Sequence, residues 1–100
     1  MKTKKIILQT ANFDLTEIGN WYNKIDKKLT MKFLKEFREK VNYLADNPYS
    51  CEIRFNNVRI AFLKKYPFAI HYTYSEKDNK ITIFSIFHTS RNPEIWKEKE

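Results

Sequence analysis

The last third of the chain alternates bulky and smaller side chains in the manner of β-strands. In residues 68–74 the bulky side chains recur at every second position, the period of a strand with one buried face; they are Phe68, Ile70, Tyr72 and Tyr74. Residues 81–87 carry apolar side chains on both faces, as a central strand does. The segment 76–79 between them is polar and rich in turn formers, so the two strands are predicted to pair as an antiparallel hairpin.

Two segments in the first half of the chain follow the helical period instead. Apolar residues step by three and four along residues 15–29 and again along residues 34–44, which gives each segment one apolar stripe. Asp14 stands three residues before Glu17, an arrangement like a capping box, which predicts that the first helix begins there.

The boundary between the two helices and the end of the second are marked by polar residues. Asp26 or Thr30 is expected to cap the second helix, and Asn47-Pro48 ends it because proline disfavours helical geometry at the preceding residue. Gly19 lies inside the first helix at a cost of about 1 kcal/mol relative to alanine, which indicates close approach by a neighbouring element.

The remaining segments complete the predicted fold. A short apolar run at residues 4–9 predicts a first strand, at the sheet edge or beside the later hairpin, and residues 48–56 are predicted to form a loop. Residues 58–63 alternate as a strand, and 64–67 turn the chain into the hairpin. Residues 93–99 are predicted to form a short terminal helix with proline in its first turn.

The predicted fold class is therefore α+β in a single domain, residues 1–100. An N-terminal strand is followed by a helical hairpin and then by a three-stranded antiparallel meander, with the helices packed on one sheet face and a short C-terminal helix. One hundred residues suffice for one hydrophobic core and are too few for two.

The charge of the chain indicates the kind of partner it binds, and its cysteine content indicates the cellular compartment. The chain has 19 Lys and Arg against 12 Asp and Glu, and the resulting charge of +7 favours a polyanionic partner such as nucleic acid, ribosome or an acidic protein. A solubilising surface is the alternative explanation. The single cysteine, the lack of a signal-peptide pattern and the absence of any long apolar run predict a cytoplasmic protein without a membrane partner.

Several short segments, weak one by one, form a fairly specific set when they occur in order in a basic chain of this length. They are DLTEI at 14–18, WY at 21–22, LADNP at 44–48, Arg59, YPFAIHY at 66–72 and IFHTSRNPEIW at 86–96. In this order they resemble the RelE/ParE superfamily of type II toxin–antitoxin toxins over nearly the whole chain. The resemblance implies a protein that arrests growth and is held inactive by a cognate antitoxin. RelE-like members cut mRNA in the ribosomal A site, and ParE-like members poison DNA gyrase.

If the chain cleaves RNA, His88, Arg91 and Arg59 are its candidate catalytic residues. Attack by a 2′-hydroxyl requires groups that move protons and cations that stabilise the phosphorane charge. Histidine is a residue type suited to proton transfer, so His88 can fill that role, and Arg91, three residues further on, can grip a phosphate with two donors. Arg59, on the neighbouring strand, can add a second cation. The structural alternative is that His88 forms a hydrogen bond with the backbone at a strand end while Arg91 pairs with Glu94 or Glu17.

Four further residues are candidates for binding nucleic acid or another target. Lys64 and Lys65 border a turn and can hold phosphates, although a solvated basic turn is an equal alternative. His71 shares the side of His88 if the hairpin register allows, but a structural histidine within the sheet is favoured. Trp96 can stack on a base, but packing of the terminal helix is favoured.

The residues favour a ParE-like inhibitor over a RelE-like nuclease. RelE-like nucleases commonly have an arginine at the start of the strand that here begins Phe68-Ala-Ile, and a tyrosine where this chain has Trp96. A RelE-like mRNA endonuclease and an inactive basic binding domain are the alternatives. No set of residues has metal-ligand spacing, and one glycine rules out a glycine-rich phosphate loop, so neither metal nor cofactor is expected.

Overall fold

The computed structural model describes residues 3–89, which form two helices and five strands. In chain order the elements are β1 (Lys4–Ile7), α1 (Gln9–Ile25), α2 (Lys27–Asp46), β2 (Ile53–Phe55), β3 (Val58–Phe62), β4 (Phe68–Ser75) and β5 (Lys80–His88). One sheet contains all five strands in the order β1-β5-β4-β3-β2. β1 pairs with β5 in parallel, and the other neighbours are antiparallel. The predicted α+β fold is confirmed.

The hydrophobic core lies between the helical hairpin and one face of the sheet. Its largest fully buried side chains are Tyr72, Phe33, Leu44, Ile70, Ile81 and Ile83. Leu44 belongs to the predicted apolar stripe of α2, and Phe33 lies beside that stripe and widens it. The others alternate along β4 and β5 as the strand period requires. Neither helix within residues 3–89 has the length and apolar character needed to cross a membrane.

The first helix begins six residues earlier than predicted, with its N-cap at Leu8 instead of Asp14, so the proposed capping box at Asp14 is wrong. α1 starts at Gln9, directly after β1, and Leu8 at its N-cap makes no side-chain cap. Asp14 lies in the second turn, and its carboxylate accepts the backbone N–H of Ile86 in β5 over 3.0 Å. The early start also ends β1 at Ile7 rather than at the predicted residue 9.

The connection between the helices follows the sequence interpretation. Asp26 is the N-cap of α2, and its side chain accepts the N–H of Lys28 over 2.9 Å. Gly19 is buried where the helices meet, and the Thr30 hydroxyl donates to its carbonyl over 2.9 Å. The close approach inferred from Gly19 is therefore confirmed, with α2 as the neighbouring element.

Residues 48–56 are not entirely a loop, because they contain the short strand β2. β2 forms a hairpin with β3 through Asn56 and Asn57, whose φ angles of 40° and 67° are both positive. Two consecutive positive φ angles are characteristic of the tight turn that joins antiparallel strands, and asparagine tolerates them. The antiparallel meander therefore has four strands rather than three. The predicted terminal helix at 93–99 lies outside the described residues.

Candidate functional site

One end of the sheet brings together the β3–β4 turn and the end of β5. The Leu63 N–H donates to the Phe68 carbonyl over 3.0 Å, which closes the turn. The Thr89 N–H donates to the Pro67 carbonyl over 2.8 Å, and Phe68 is paired with His88. The predicted site residues Lys64, Lys65 and His88 therefore lie at the same end of the sheet.

The backbone of this turn is held by a carboxylate from α2. The Lys64 N–H donates to Glu36 Oε2 over 2.7 Å, and the Lys65 N–H lies 3.3 Å from both carboxylate oxygens. Tyr66 in the same turn packs into the core, with ring centroids 5.6 Å from both Tyr22 and Phe33. The turn is thus fixed on its helix side, while both lysine side chains remain exposed.

His88 lines a groove of about 650 Å³ between the end of β5 and α1. The groove is bordered by Asp14, Glu17, Trp21, Lys24, Phe68 and His88, among other residues. The imidazole of His88 meets the ring of Phe68 edge-on with centroids 5.2 Å apart. An imidazole, two carboxylates, an ammonium and an indole can together exchange protons, form hydrogen bonds and stack on a planar group.

Asp14 of α1 also lines this groove, which sequence reasoning did not predict. Burial raises the pKa of Asp14, the Ile86 hydrogen bond opposes that shift, and the charge of Glu17 adds to it. The Asp14 contact attaches β5 to α1 just before His88. The signal present in the sequence was an acidic residue on the side of an amphipathic helix, which does not identify its partner.

Trp21 is the second groove residue to which sequence reasoning gave no role in the site. It flanks the apolar stripe of α1 and remains 53% exposed, although its ring lies 5.0 Å from that of Tyr22. A large aromatic residue beside the stripe was the available signal, because side chains at that position are only half covered by the sheet.

Arg59 does not join His88. It pairs with Tyr72, four residues along β4 from the partner of His88, so the two side chains start about 13 Å apart along the sheet and about 10 Å across it. The Arg59 guanidinium donates to the carbonyl of Cys51 and lies 5.1 Å from the ring centroid of Tyr49. It fastens the connection between α2 and β2 to the sheet.

His71 lies on the opposite face of the sheet from His88, so the suggestion that they share a side is wrong. His71 pairs with Ser85, whereas His88 pairs with Phe68, and paired residues point to the same face. His71 is only 5% exposed, and its Nδ1 lies 2.8 Å from the Ser85 hydroxyl. The interpretation of His71 as a structural histidine within the sheet agrees with its burial and with the contact of its Nδ1 with Ser85.

Two predicted site residues, Arg91 and Trp96, lie outside the described residues. Within residues 3–89, no group of three or more His, Cys, Asp or Glu is arranged to hold a metal ion. In that part of the chain the groove and the basic turn each bring together side chains that can contact a partner.

Solved structures of known proteins have a similar fold. A chain of the chromosomal ParDE toxin–antitoxin system from P. aeruginosa superposes with a TM-score of 0.75 at 20% identity, covering 88% of this chain and 97% of that chain. A chain of the RelBE2 toxin–antitoxin complex from Mycobacterium tuberculosis gives a TM-score of 0.57 at 11% identity, covering 88% and 92%. At these identities the likeness shows the fold alone.

The assignment of this chain to a family rests on its sequence. No curated protein matches the chain significantly. The family model of the ParE toxin of the type II toxin–antitoxin system parDE matches residues 6–93, which include the second half of β1, both helices, the strands β2 to β5 and the basic turn. This chain therefore belongs to the ParE toxin family of type II toxin–antitoxin systems.

Proposed function

We propose that this chain is a cytoplasmic toxin that arrests growth by binding DNA gyrase, and that a cognate antitoxin neutralises it. Membership of the ParE toxin family supports the class of activity. The chain has 19 basic and 12 acidic residues, and this excess of positive charge supports an anionic target because it attracts nucleic acid and its complexes.

The observation that favours binding over RNA cleavage is the distance between His88 and Arg59. A nuclease that cuts by attack of a 2′-hydroxyl needs its proton-transfer group and its cation around one phosphate, within hydrogen-bond reach of the reacting atoms. Here Arg59 starts about 13 Å further along the sheet, and its guanidinium contacts the connection to β2. The RelE-like nuclease would have to rely on His88 with Arg91 and the turn lysines instead.

The antitoxin is the second part of the proposal. The P. aeruginosa and M. tuberculosis chains described above both come from toxin–antitoxin systems, which supports a partner of the same kind for this chain. Its chemistry should complement a basic chain, so we expect an acidic or amphipathic segment that covers the helical hairpin or the sheet. Co-expression of the tagged chain with the product of the adjoining reading frame, followed by affinity capture, tests this. Failure to recover a stable complex with that product would contradict it.

Induced expression with parallel measurements of DNA damage signalling and mRNA integrity tests the activity. The proposal predicts growth arrest with DNA damage signalling and intact mRNA. Lys64→Ala/Lys65→Ala should lessen the arrest, whereas Lys77→Ala, in the hairpin turn at the far end of β4, should not. Codon-phased cuts in mRNA that His88→Ala abolishes would replace the proposal with the RelE-like nuclease. Normal growth without any antitoxin would indicate an inactive basic domain.

A further inference from the structure

The turn between β3 and β4 presents two adjacent lysines on a backbone that is fixed by Glu36. We propose that Glu36 is a positioning residue, which holds this turn so that Lys64 and Lys65 contact the phosphate backbone of nucleic acid in the target complex. The inference rests on the proposed function only for the identity of that complex. The contact chemistry is the same for DNA held by gyrase and for mRNA held by a ribosome.

The contacts of Glu36 indicate that it holds the backbone of the turn and does not neutralise the lysine charges. Its oxygens accept the backbone N–H groups of Lys64 and Lys65, at 2.7 and 3.3 Å. Among residues 3–89, no ion pair joins Glu36 to the ammonium of either lysine. The carboxylate therefore fixes the turn and leaves both positive charges for a partner.

The turn is also held on its other sides, so that Glu36 completes an existing support. The Phe68 N–H donates to the Tyr66 carbonyl over 2.8 Å, and Thr89 binds the carbonyl of Pro67. Without Glu36, the two N–H groups at the lysines lose their acceptor and the first half of the turn can change conformation. The lysines would then have to be ordered again on binding, which weakens the contact.

A phosphate backbone suits these lysines better than a carboxylate segment of a protein. Lysine ammonium groups act as point charges, which suit successive phosphates without requiring the planar two-point geometry that arginine gives to carboxylates. The net charge of +7 adds long-range attraction to such a polymer.

Positioning and simple electrostatics predict opposite effects when Glu36 is replaced. If Glu36 were only a negative charge near the turn, removing it would strengthen binding to a polyanion. If it positions the turn, removing its acceptor oxygens should weaken binding despite the gain in net charge. Glu36→Gln and Glu36→Ala remove the same charge, but only glutamine keeps an oxygen that can accept the N–H groups.

The test is fluorescence anisotropy of the purified full-length chain with a labelled 20-base-pair DNA duplex over a series of KCl concentrations. We expect Glu36→Ala to bind about three- to tenfold more weakly than Glu36→Gln. Glu39→Ala, which removes an exposed charge from the same helix, should bind at least as well as the original chain. Lys64→Ala/Lys65→Ala should lower the slope of log K against log[KCl] by up to about 1.8.

The same comparison in the Lys64→Ala/Lys65→Ala background isolates the mechanism. If Glu36 acts through the lysines, the difference between Glu36→Ala and Glu36→Gln should disappear there. Circular dichroism and urea midpoints identify any variant that fails to fold. If Glu36→Ala is such a variant, the salt dependence of Lys64→Ala/Lys65→Ala still tests the phosphate contact.

Four results would overturn the proposal. The first is that the original chain shows no salt-dependent binding of DNA, and the second is that Glu36→Ala and Glu36→Gln have equal affinities. The third is that the difference in affinity between these two variants persists without the lysines. The fourth is that this difference is seen only when poly-glutamate replaces DNA as the probe. Gyrase inhibition by the original chain, measured separately, shows whether the target assignment fails independently.

Discussion

Replacing Gly19 with alanine is expected to stabilise the fold, even though the helices approach each other closely there. A glycine inside a helix costs about 1 kcal/mol relative to alanine, because its backbone loses more freedom on folding. A Cβ added at Gly19 would lie 3.4 Å from Thr30 Cγ2, at the short end of ordinary van der Waals contact. The helix therefore gains most of the propensity difference with little steric cost.

We predict that Gly19→Ala raises the free energy of unfolding by about 0.5–1 kcal/mol. For a chain of this size, such a change raises Tm by several degrees, about 4–8 °C per kcal/mol. Urea unfolding followed by circular dichroism measures the first quantity, and a thermal scan measures the second. The Thr30 hydroxyl should keep its 2.9 Å bond to the carbonyl at position 19, because that carbonyl does not move.

A second variant shows whether the methyl group meets resistance. Thr30→Ser removes Cγ2 and keeps the hydroxyl that donates to Gly19. If the contact is relaxed, Gly19→Ala should give the same gain in the serine background as in the original chain. A loss of stability for Gly19→Ala that Thr30→Ser reverses would contradict the prediction, because the steric conflict with Cγ2 would then exceed the gain in helix propensity.

Three other contacts give further predictions. Asp14→Asn keeps an acceptor for β5 and Asp14→Ala does not, so urea unfolding at pH 7 should find the alanine variant about 1 kcal/mol less stable than asparagine. Because burial raises the pKa of Asp14, its folded state binds the proton more tightly, and the original chain should gain stability relative to Asp14→Asn as pH falls from 7 towards 3.8; parallel pH profiles would contradict this. Tyr72→Phe loses the bond to the Pro48 carbonyl at about 0.5–1.5 kcal/mol, measured in urea. Since burial also raises the pKa of Tyr72, stability should fall more steeply above pH 10 in the original chain than in that variant. Arg59→Lys should lower Tm without changing the affinity for DNA. A loss of DNA affinity alongside the loss of stability would indicate that Arg59 belongs to the site.

The sequence predicted those parts of the fold that local patterns specify. Alternation identified β4, and apolar residues on both faces identified β5. The steps of three and four identified both helices, and Asp26 marked the boundary between them. The turn that carries Lys64 and Lys65 was found because it lies between two clear strands.

The errors occurred where a residue's partner lies far away in the sequence. Asp14 fits a local capping pattern, but its partner Ile86 is 72 residues away. β2 is three residues long, too short for a periodic signal. Its Asn-Asn turn was the available clue.

The relation between the two histidines depended on register, which alternation alone does not determine. A shift of one residue in the pairing of β4 with β5 would have put His71 and His88 on the same face. The pairing also contains an irregularity between His71 and Tyr72, opposite Phe84, which lets Ile83 and Ile86 both face the core. Glu36 escaped notice as a site residue because its contacts are with backbone groups 28 and 29 residues away.

The most direct test of the proposed activity is a supercoiling reaction with purified gyrase, relaxed plasmid and ATP, to which the purified full-length chain is added. Binding to gyrase should cause loss of supercoiled product and accumulation of linear plasmid as the chain is titrated in. Lys64→Ala/Lys65→Ala should require a higher concentration than Lys77→Ala for the same effect. Undiminished supercoiling at a large molar excess of the folded chain would contradict the proposed activity.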